Sequence, residues 1–244
     1  QLRDGKDVTI IANGMMVQMA LEAANQLAAE GITTVGTVSF TTPQAVADML
    51  GLSEYTPRTF SDLSDTPYAD AINTLTIYGM LGGYGDGTFR PDIHITRAEF
   101  CAMLANMLDL NTEPVSQSTF PDVFPQDWYA PVVHAMHADG LLSGYDDGFF
   151  RPNDTISQQE VVSILAKLST RLNMYAYNRR NISPTDEVMA EFAHFSGWAQ
   201  QTAWLLDSCE VDLSALTTPQ DPITRGQACD LLCQLLTRTN VLWP

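Results

Sequence analysis

GYGDGTFRPDIHITRAEF (83–100) and GYDDGFFRPNDTISQQEV (144–161) share Gly, Tyr, Asp, Gly, Phe, Arg, Pro, Ile and Glu at a constant offset of 61. Upstream the match continues at an offset of 60, through Phe60/Phe120, Asp62/Asp122 and Tyr68/Trp128. So many identities with one inserted residue mark an internal repeat, which fixes the architecture before any single element is read. A weaker third copy follows, in which Trp198 answers Trp128 and Ile223-Thr224-Arg225 answers Ile95-Thr96-Arg97. It lacks the Gly-Tyr-x-Asp-Gly-x-Phe-Arg-Pro segment.

Each copy reads as helix, turn, helix. The first helix starts near Tyr68, Trp128 or Trp198, with an apolar face such as Trp128, Val132, Ala135 and Met136. In the first two copies it stops at Gly79 or Gly140, the residue type that most easily adopts the left-handed closing conformation. The Asp-Gly and Arg-Pro pairs beyond are turn chemistry. The second helix opens on a capping box: Thr96-x-x-Glu99, Ser157-x-x-Glu160 and Thr224-x-x-Gln227. Ile95, Ile156 and Ile223 precede the caps, placed for a hydrophobic staple onto Phe100, Val161 and Ala228. Arg97 and Arg225 stand at helix starts, where the dipole favours negative charge, so capping does not account for them. Copy two has Gln158 at that position.

The same alignment assigns the cysteines. Cys101, Val162 and Cys229 are equivalent, as are Ala105, Ala166 and Cys233, so these positions call for small apolar groups on a buried face. Cys209 has no counterpart. No metal is expected: the Asp86-Gly87 and Asp147-Gly148 turns lack the other ligands of a calcium loop, and His134 and His137 have no third ligand in register.

The chain has 244 residues, 45% hydrophobic and 17% charged, with 12 Lys+Arg against 29 Asp+Glu for a net charge of −17. That composition is globular. Its sign repels phosphate backbones and argues against nucleic acid as a partner, so an anionic ligand must be met by locally placed arginines. There is no apolar run of about 18 residues to span a membrane. The chain begins at Gln1, compatible with a removed leader or with a piece of a longer protein.

Phe-x-Asp, an aromatic opening a helix, GYxDGTFRP and ITRAE, repeated in that order over about 59–240, resemble the S-layer homology family. The resemblance implies a mainly α fold of three repeats in a pseudo-threefold bundle, with inter-repeat grooves that hold a secondary cell-wall polysaccharide, often bearing a pyruvate ketal. It implies a non-catalytic extracellular anchor at the bacterial cell wall or S-layer, carrying a cargo domain in a longer parent and needing no cofactor. By position, it nominates Arg97 and Arg225, Asp62 and Asp122, and Gly83, Tyr84, Gly144 and Tyr145 as glycan contacts. With Gln158 in copy two and the tyrosine segment missing from copy three, at most two grooves are expected to be competent. The residues themselves suggest a complementary reason: the free amides of a helix N-terminus suit a carboxylate, and an adjacent arginine adds a planar fork.

The first forty residues differ. Strand (Asp7–Ala12), helix (about Met15–Glu30) and a second strand read as a βαβ-like segment. GKDVTIIANG and ALEAANQLAAEGI, within residues 1–32, resemble the start of the transketolase C-terminal domain, a family that uses thiamine diphosphate. That family's cofactor and catalytic residues lie mainly in domains absent here. The expected organisation is a fragment at 1–41, a connector at 42–58, repeats at 59–110 and 119–172, a linker at 173–185 and a degenerate repeat at 186–240. In the linker region, Arg179 and Arg180 are candidates for a supplementary glycan contact. Three functions remain in view: an anchoring module, a truncated transketolase-like enzyme with accessory repeats, or a structural repeat without glycan binding.

Overall fold

The computed structural model describes residues 59–77, 80–108, 110–172 and 184–238, together with strands β1 (Thr9–Ile10) and β2 (Thr37–Val38). The two strands pair in parallel, Thr9 with Thr37 and Ile10 with Val38, as a βαβ segment requires. The helix expected between them, the end of the first helix at Gly79 and the linker arginines Arg179 and Arg180 lie outside the described residues.

The rest is helical. The elements are α1 (Ala69–Ile77), α2 (Arg97–Met107), α3 (Ala130–Ala138), α4 (Gln158–Arg171), α5 (Asp186–Glu191), α6 (Gly197–Asp207) and α7 (Arg225–Arg238). The caps form as the repeat predicts. Thr96 Oγ1 accepts from the Glu99 amide at 3.2 Å while Glu99 Oε2 accepts from the Thr96 amide at 2.8 Å. Thr224 and Gln227 do the same at 3.2 and 3.0 Å. In copy two Glu160 Oε2 accepts from both the amide and the hydroxyl of Ser157, each at 2.8 Å. Each such cap stabilises its helix by about 1 kcal/mol. Gly140, at φ +75°, closes α3.

Packing runs between copies. The first helix of one copy lies against the second helix of the copy before it: α3 on α2, α6 on α4, and α1 on α7, which closes the cycle. At the hub, Ile95, Ile156 and Ile223 are fully buried and their backbones form a ring. The Ile156 amide donates to the Ile95 carbonyl (3.0 Å), Ile223 to Ile156 (2.9 Å) and Ile95 to Ile223 (3.4 Å). Three isolated antiparallel bridges, His94 with Thr224, Thr96 with Thr155 and Ser157 with Pro222, flank that ring. This is the pseudo-threefold axis.

A second ring reinforces it. In each copy a proline four residues before the hub isoleucine offers its carbonyl to a neighbouring helix. Pro152 and Asp154 accept from the Ala98 and Arg97 amides at 3.0 Å each. Pro219 and Asp221 accept from Gln159 and Gln158 (2.8 and 3.0 Å), and Pro91 and Ile93 from Gly226 and Arg225 (2.7 and 2.8 Å). Pro91, Pro152 and Pro219 were legible as a repeat-wide signal, because copy three keeps its proline although the rest of its turn is lost.

Two expectations need correction. Trp128 is not on a buried helix face: it precedes α3 and is 61% exposed, while Val133 and Met136 are the fully buried residues of that helix. Cys101 and Cys229 are buried as expected, but Cys233 is only partly so, unlike its counterparts Ala105 and Ala166. Burial pushes the Cys101 and Cys229 thiols up to about 12, which leaves them inert.

Candidate functional site

The nominated arginines and tyrosines form two composite clusters, each assembled from two copies. In one, Arg97 of copy one meets Tyr145 and the Ser143 carbonyl of copy two. In the other, Arg225 of copy three meets Tyr84 and the Gly82 carbonyl of copy one. The guanidinium carbon of Arg97 lies 4.6 Å from the Tyr145 ring centre, and that of Arg225 lies 5.4 Å from Tyr84. Each tyrosine also carries an arginine of its own copy, Arg151 at 4.4 Å and Arg90 at 4.0 Å.

The clusters differ in how far they are satisfied. Arg97 is 6% exposed. Its Nε donates to the Phe150 carbonyl (2.9 Å), Nη1 to Glu160 Oε1 (3.0 Å) and Nη2 to the Ser143 carbonyl (3.5 Å). The Tyr145 hydroxyl donates to the same Glu160 oxygen at 2.5 Å. Burial, and then that bond, raise the phenol to about 12. Arg225 is half-buried, and its side chain makes one hydrogen bond among the described residues, from Nη2 to the Gly82 carbonyl at 2.8 Å. Its Nε is buried without an acceptor.

The third junction, between copies two and three, has neither element. Gln158 is 6% exposed there with its Oε1 unpartnered, and copy three offers no tyrosine. The two departures noticed in the sequence therefore coincide at one junction and leave the other two whole.

Asp62 and Asp122 do not join the arginines. Asp62 accepts from the Phe89 and Arg90 amides (2.8 and 2.7 Å), and Asp122 from Phe150 and Arg151 (2.9 and 2.6 Å). These carboxylates clasp the turn and hold Arg90 and Arg151 in the left-handed region at φ 60° and 59°, costly for side-chain-bearing residues. Gly83 and Gly144 have a packing role: a Cβ on Gly83 would overlap the Phe60 ring and sit 2.6 Å from the Thr88 carbonyl, and one on Gly144 would sit 2.7 Å from Phe120. The helix-terminus amides are not free either. The first two of α2, α4 and α7 go to carbonyls of the adjacent copy, so the arginine side chains, and not the helix ends, must meet any anion.

Several aspartates titrate low. Burial works to raise Asp62, but the Phe89 and Arg90 amides outweigh it and bring it below the usual 3.8. Hydrogen bonds from Thr88 and then Arg90 bring Asp86 to about 2. The Phe149 amide, followed by Arg151, lowers Asp147. A carboxylate depressed in the folded state contributes stability that is fully present above its unfolded pKa and lost as pH falls through the folded value. Thermal melts should therefore hold steady down to about pH 4 and fall between pH 4 and 2, with a shallower fall for Asp86→Asn; an unchanged slope in that variant would exclude Asp86 as a contributor.

His134 and His137 lie exposed on α3, His134 Nδ1 3.0 Å from Thr119 Oγ1 and His137 edge-on to Phe120. Among the described residues no group of three or more His, Cys, Asp or Glu is placed to hold a metal ion, and no helix is long and apolar enough to cross a membrane.

The profile of the S-layer homology domain matches residues 59–101 and 119–162, and that of the transketolase C-terminal domain matches 1–51. Exoglucanase XynX of Acetivibrio thermocellus is 30% identical over 187 residues, 75% of this chain and 17% of the relative. The cellulosome-anchoring protein of the same organism is 36% identical over 112 residues, 44% of this chain and 25% of the relative. The S-layer protein sap of Bacillus anthracis is 34% identical over 120 residues, 48% and 14% respectively. The matched region thus spans a quarter or less of each relative's length.

Proposed function

From the premise that residues 59–101 and 119–162 are S-layer homology domains, we propose that this chain is a non-catalytic anchoring module, held at a bacterial cell surface by an anionic secondary cell-wall polysaccharide. Residues 186–240 serve as the third, degenerate repeat, and a larger parent protein supplies the cargo. The names of two relatives, a cellulosome-anchoring protein and an S-layer protein, favour this reading over a catalytic one. The observation that carries glycan binding is the Arg225–Tyr84 junction, where a guanidinium with spare donors stands over an aromatic ring suited to a sugar face.

Sedimentation with purified cell-wall sacculi tests it. The wild type should pellet, Arg225→Ala should stay largely in the supernatant, and sacculi stripped of secondary polymer should capture neither. Equal pelleting of wild type and variant would remove Arg225 from the site.

The profile match at 1–51 favours a second reading for that segment, as a piece derived from a transketolase-type enzyme. Thiamine diphosphate affinity measured by calorimetry on the whole chain would favour the enzymatic reading over anchoring.

A further inference from the structure

We propose that copy one of this chain leaves its seat and takes the same seat in a second copy of the chain, so that two modules join as a reciprocally swapped dimer. The inference rests on how the cycle packs and not on the anchoring reading.

The chain passes from copy one to two to three, but the cycle has a further junction, where α1 lies on α7. Every bond there joins residues far apart in sequence. The Arg225 and Gly226 amides donate to the Ile93 and Pro91 carbonyls at 2.8 and 2.7 Å, and Arg225 Nη2 reaches the Gly82 carbonyl across 143 positions. Because no connecting backbone enters this junction, it forms as well between two chains as within one.

The seat on copy three is keyed to copy one. Tyr68 packs into a notch at Gly226, where an added Cβ would overlap the Tyr68 ring. Its hydroxyl meets the Gln227 side chain. The positions equivalent to Gly226 are Ala98 and Gln159, and the aromatics equivalent to Tyr68, Trp128 and Trp198, are 61% and 59% exposed while Tyr68 is half-buried. The occupant of the notch is therefore a copy one, from whichever chain supplies it.

That copy must move whole. The Ile95 amide donates to Ile223 and the Ile95 carbonyl accepts from Ile156, so opening α1 from α7 alone would break the isoleucine ring. Residues 59–108 seated between copies two and three of a partner rebuild the ring, the packing of α2 on α3 and the Arg97–Glu160 pair across chains. What is lost in one chain is regained in the other, and the cost is that of association. Two parent proteins would thereby be coupled through their modules.

The hinge lies between α2 and Phe120. Of residues 111–118, all but Val115 are exposed, and the Glu113 amide bonds locally to Asn111 Oδ1 at 3.2 Å. Fully extended, those eight residues reach about 28 Å. A short linker holds copy one at its own seat with an effective concentration of about 1 mM, so the swapped dimer should be scarce near 10 μM and abundant near 1 mM.

Light scattering on size-exclusion eluates of the whole chain tests this, after incubation at about 1 mM in sub-denaturing urea to speed the exchange. A dimer that melts like the monomer is expected. Its architecture is read by placing a photoreactive benzoylphenylalanine at Ile93, which is 39% exposed and whose carbonyl bonds the Arg225 amide. In dimers made from isotope-labelled and unlabelled chains, cross-links from position 93 to residues 219–238 should join unlike chains as often as like ones. Deleting Asn111–Gln117 removes about 23 Å of reach and should lower the concentration for half-dimerisation at least about a hundredfold. Absence of a wild-type dimer at about 1 mM, or a dimer whose copy-one-to-copy-three cross-links all join like chains, overturns the proposal. So does a deletion variant that stays monomeric and melts like the wild type.

Discussion

Replacing Arg97 by Met should lower the melting temperature by about 6–12 °C. Arg97 and Glu160 are 7% and 15% exposed along their side chains, and breaking a buried pair by removing one partner costs about 3–5 kcal/mol. Residual solvent at Glu160 places this case near 3 kcal/mol, and a chain of this size loses about 2–4 °C per kcal/mol. The carbonyls of Phe150 and Ser143 lose their donor as well. If the cost is an uncompensated charge, Arg97→Met/Glu160→Gln should recover part of it, with the carboxamide still able to cap Ser157. Arg225→Met, which breaks one hydrogen bond and no ion pair, should change stability by less than about 1 kcal/mol. A single-variant drop below 2 °C, or a double variant no better than the single, would contradict an interlock at Arg97. The contrast separates an arginine that holds the fold from one kept for a ligand.

Gly83→Ala should destabilise by about 2–4 kcal/mol in urea denaturation. The new methyl group overlaps Phe60 and lies 2.6 Å from the Thr88 carbonyl, which is backbone and cannot swing aside. Phe60, 8% exposed and 5.2 Å from Phe89, must then leave its seat. Overpacking costs about 1–3 kcal/mol and lost ring burial adds to it. Gly85→Ala, two residues along, meets nothing within 4 Å and should fall within about 0.5 kcal/mol of wild type. Copy two already carries Asp146 at that position. A milder loss is expected for Gly144→Ala, whose nearest contacts are 2.7 and 2.9 Å. If Gly83→Ala melts like wild type but loses sacculus binding, the glycine serves the ligand and not the ring.

Much of the fold was legible because its signals are local. A capping hydroxyl and the carboxylate or carboxamide three residues on recognise each other within one turn, so three copies of the pattern gave three helix starts. The small residues aligned with Cys101 and Cys229 marked buried positions for the same reason. Trp128 misled because an aromatic residue ahead of a helix matches the apolar period of that helix without sharing its face. The Asp62 and Asp122 carboxylates were read toward a ligand because sequence shows the residue type and not its partner; a backbone amide 27 or 28 residues away leaves no trace in composition.

By itself, the sequence established three helix-turn-helix copies, their caps, and arginines surviving only at Arg97 and Arg225. Only the tertiary structure decided which tyrosine each arginine meets. Periodicity is identical whether the second helix of one copy packs on the copy before or the copy after, so the direction of the cycle is set by long-range contacts: the isoleucine ring, and the proline carbonyls that cap neighbouring helices. That direction brings Gln158 against the copy that lost its tyrosine, and Arg225 across the closure onto Tyr84. It also turns Glu160 toward Arg97 while leaving Arg225 without a carboxylate, a difference between two nearly identical motifs that arises from what each one faces.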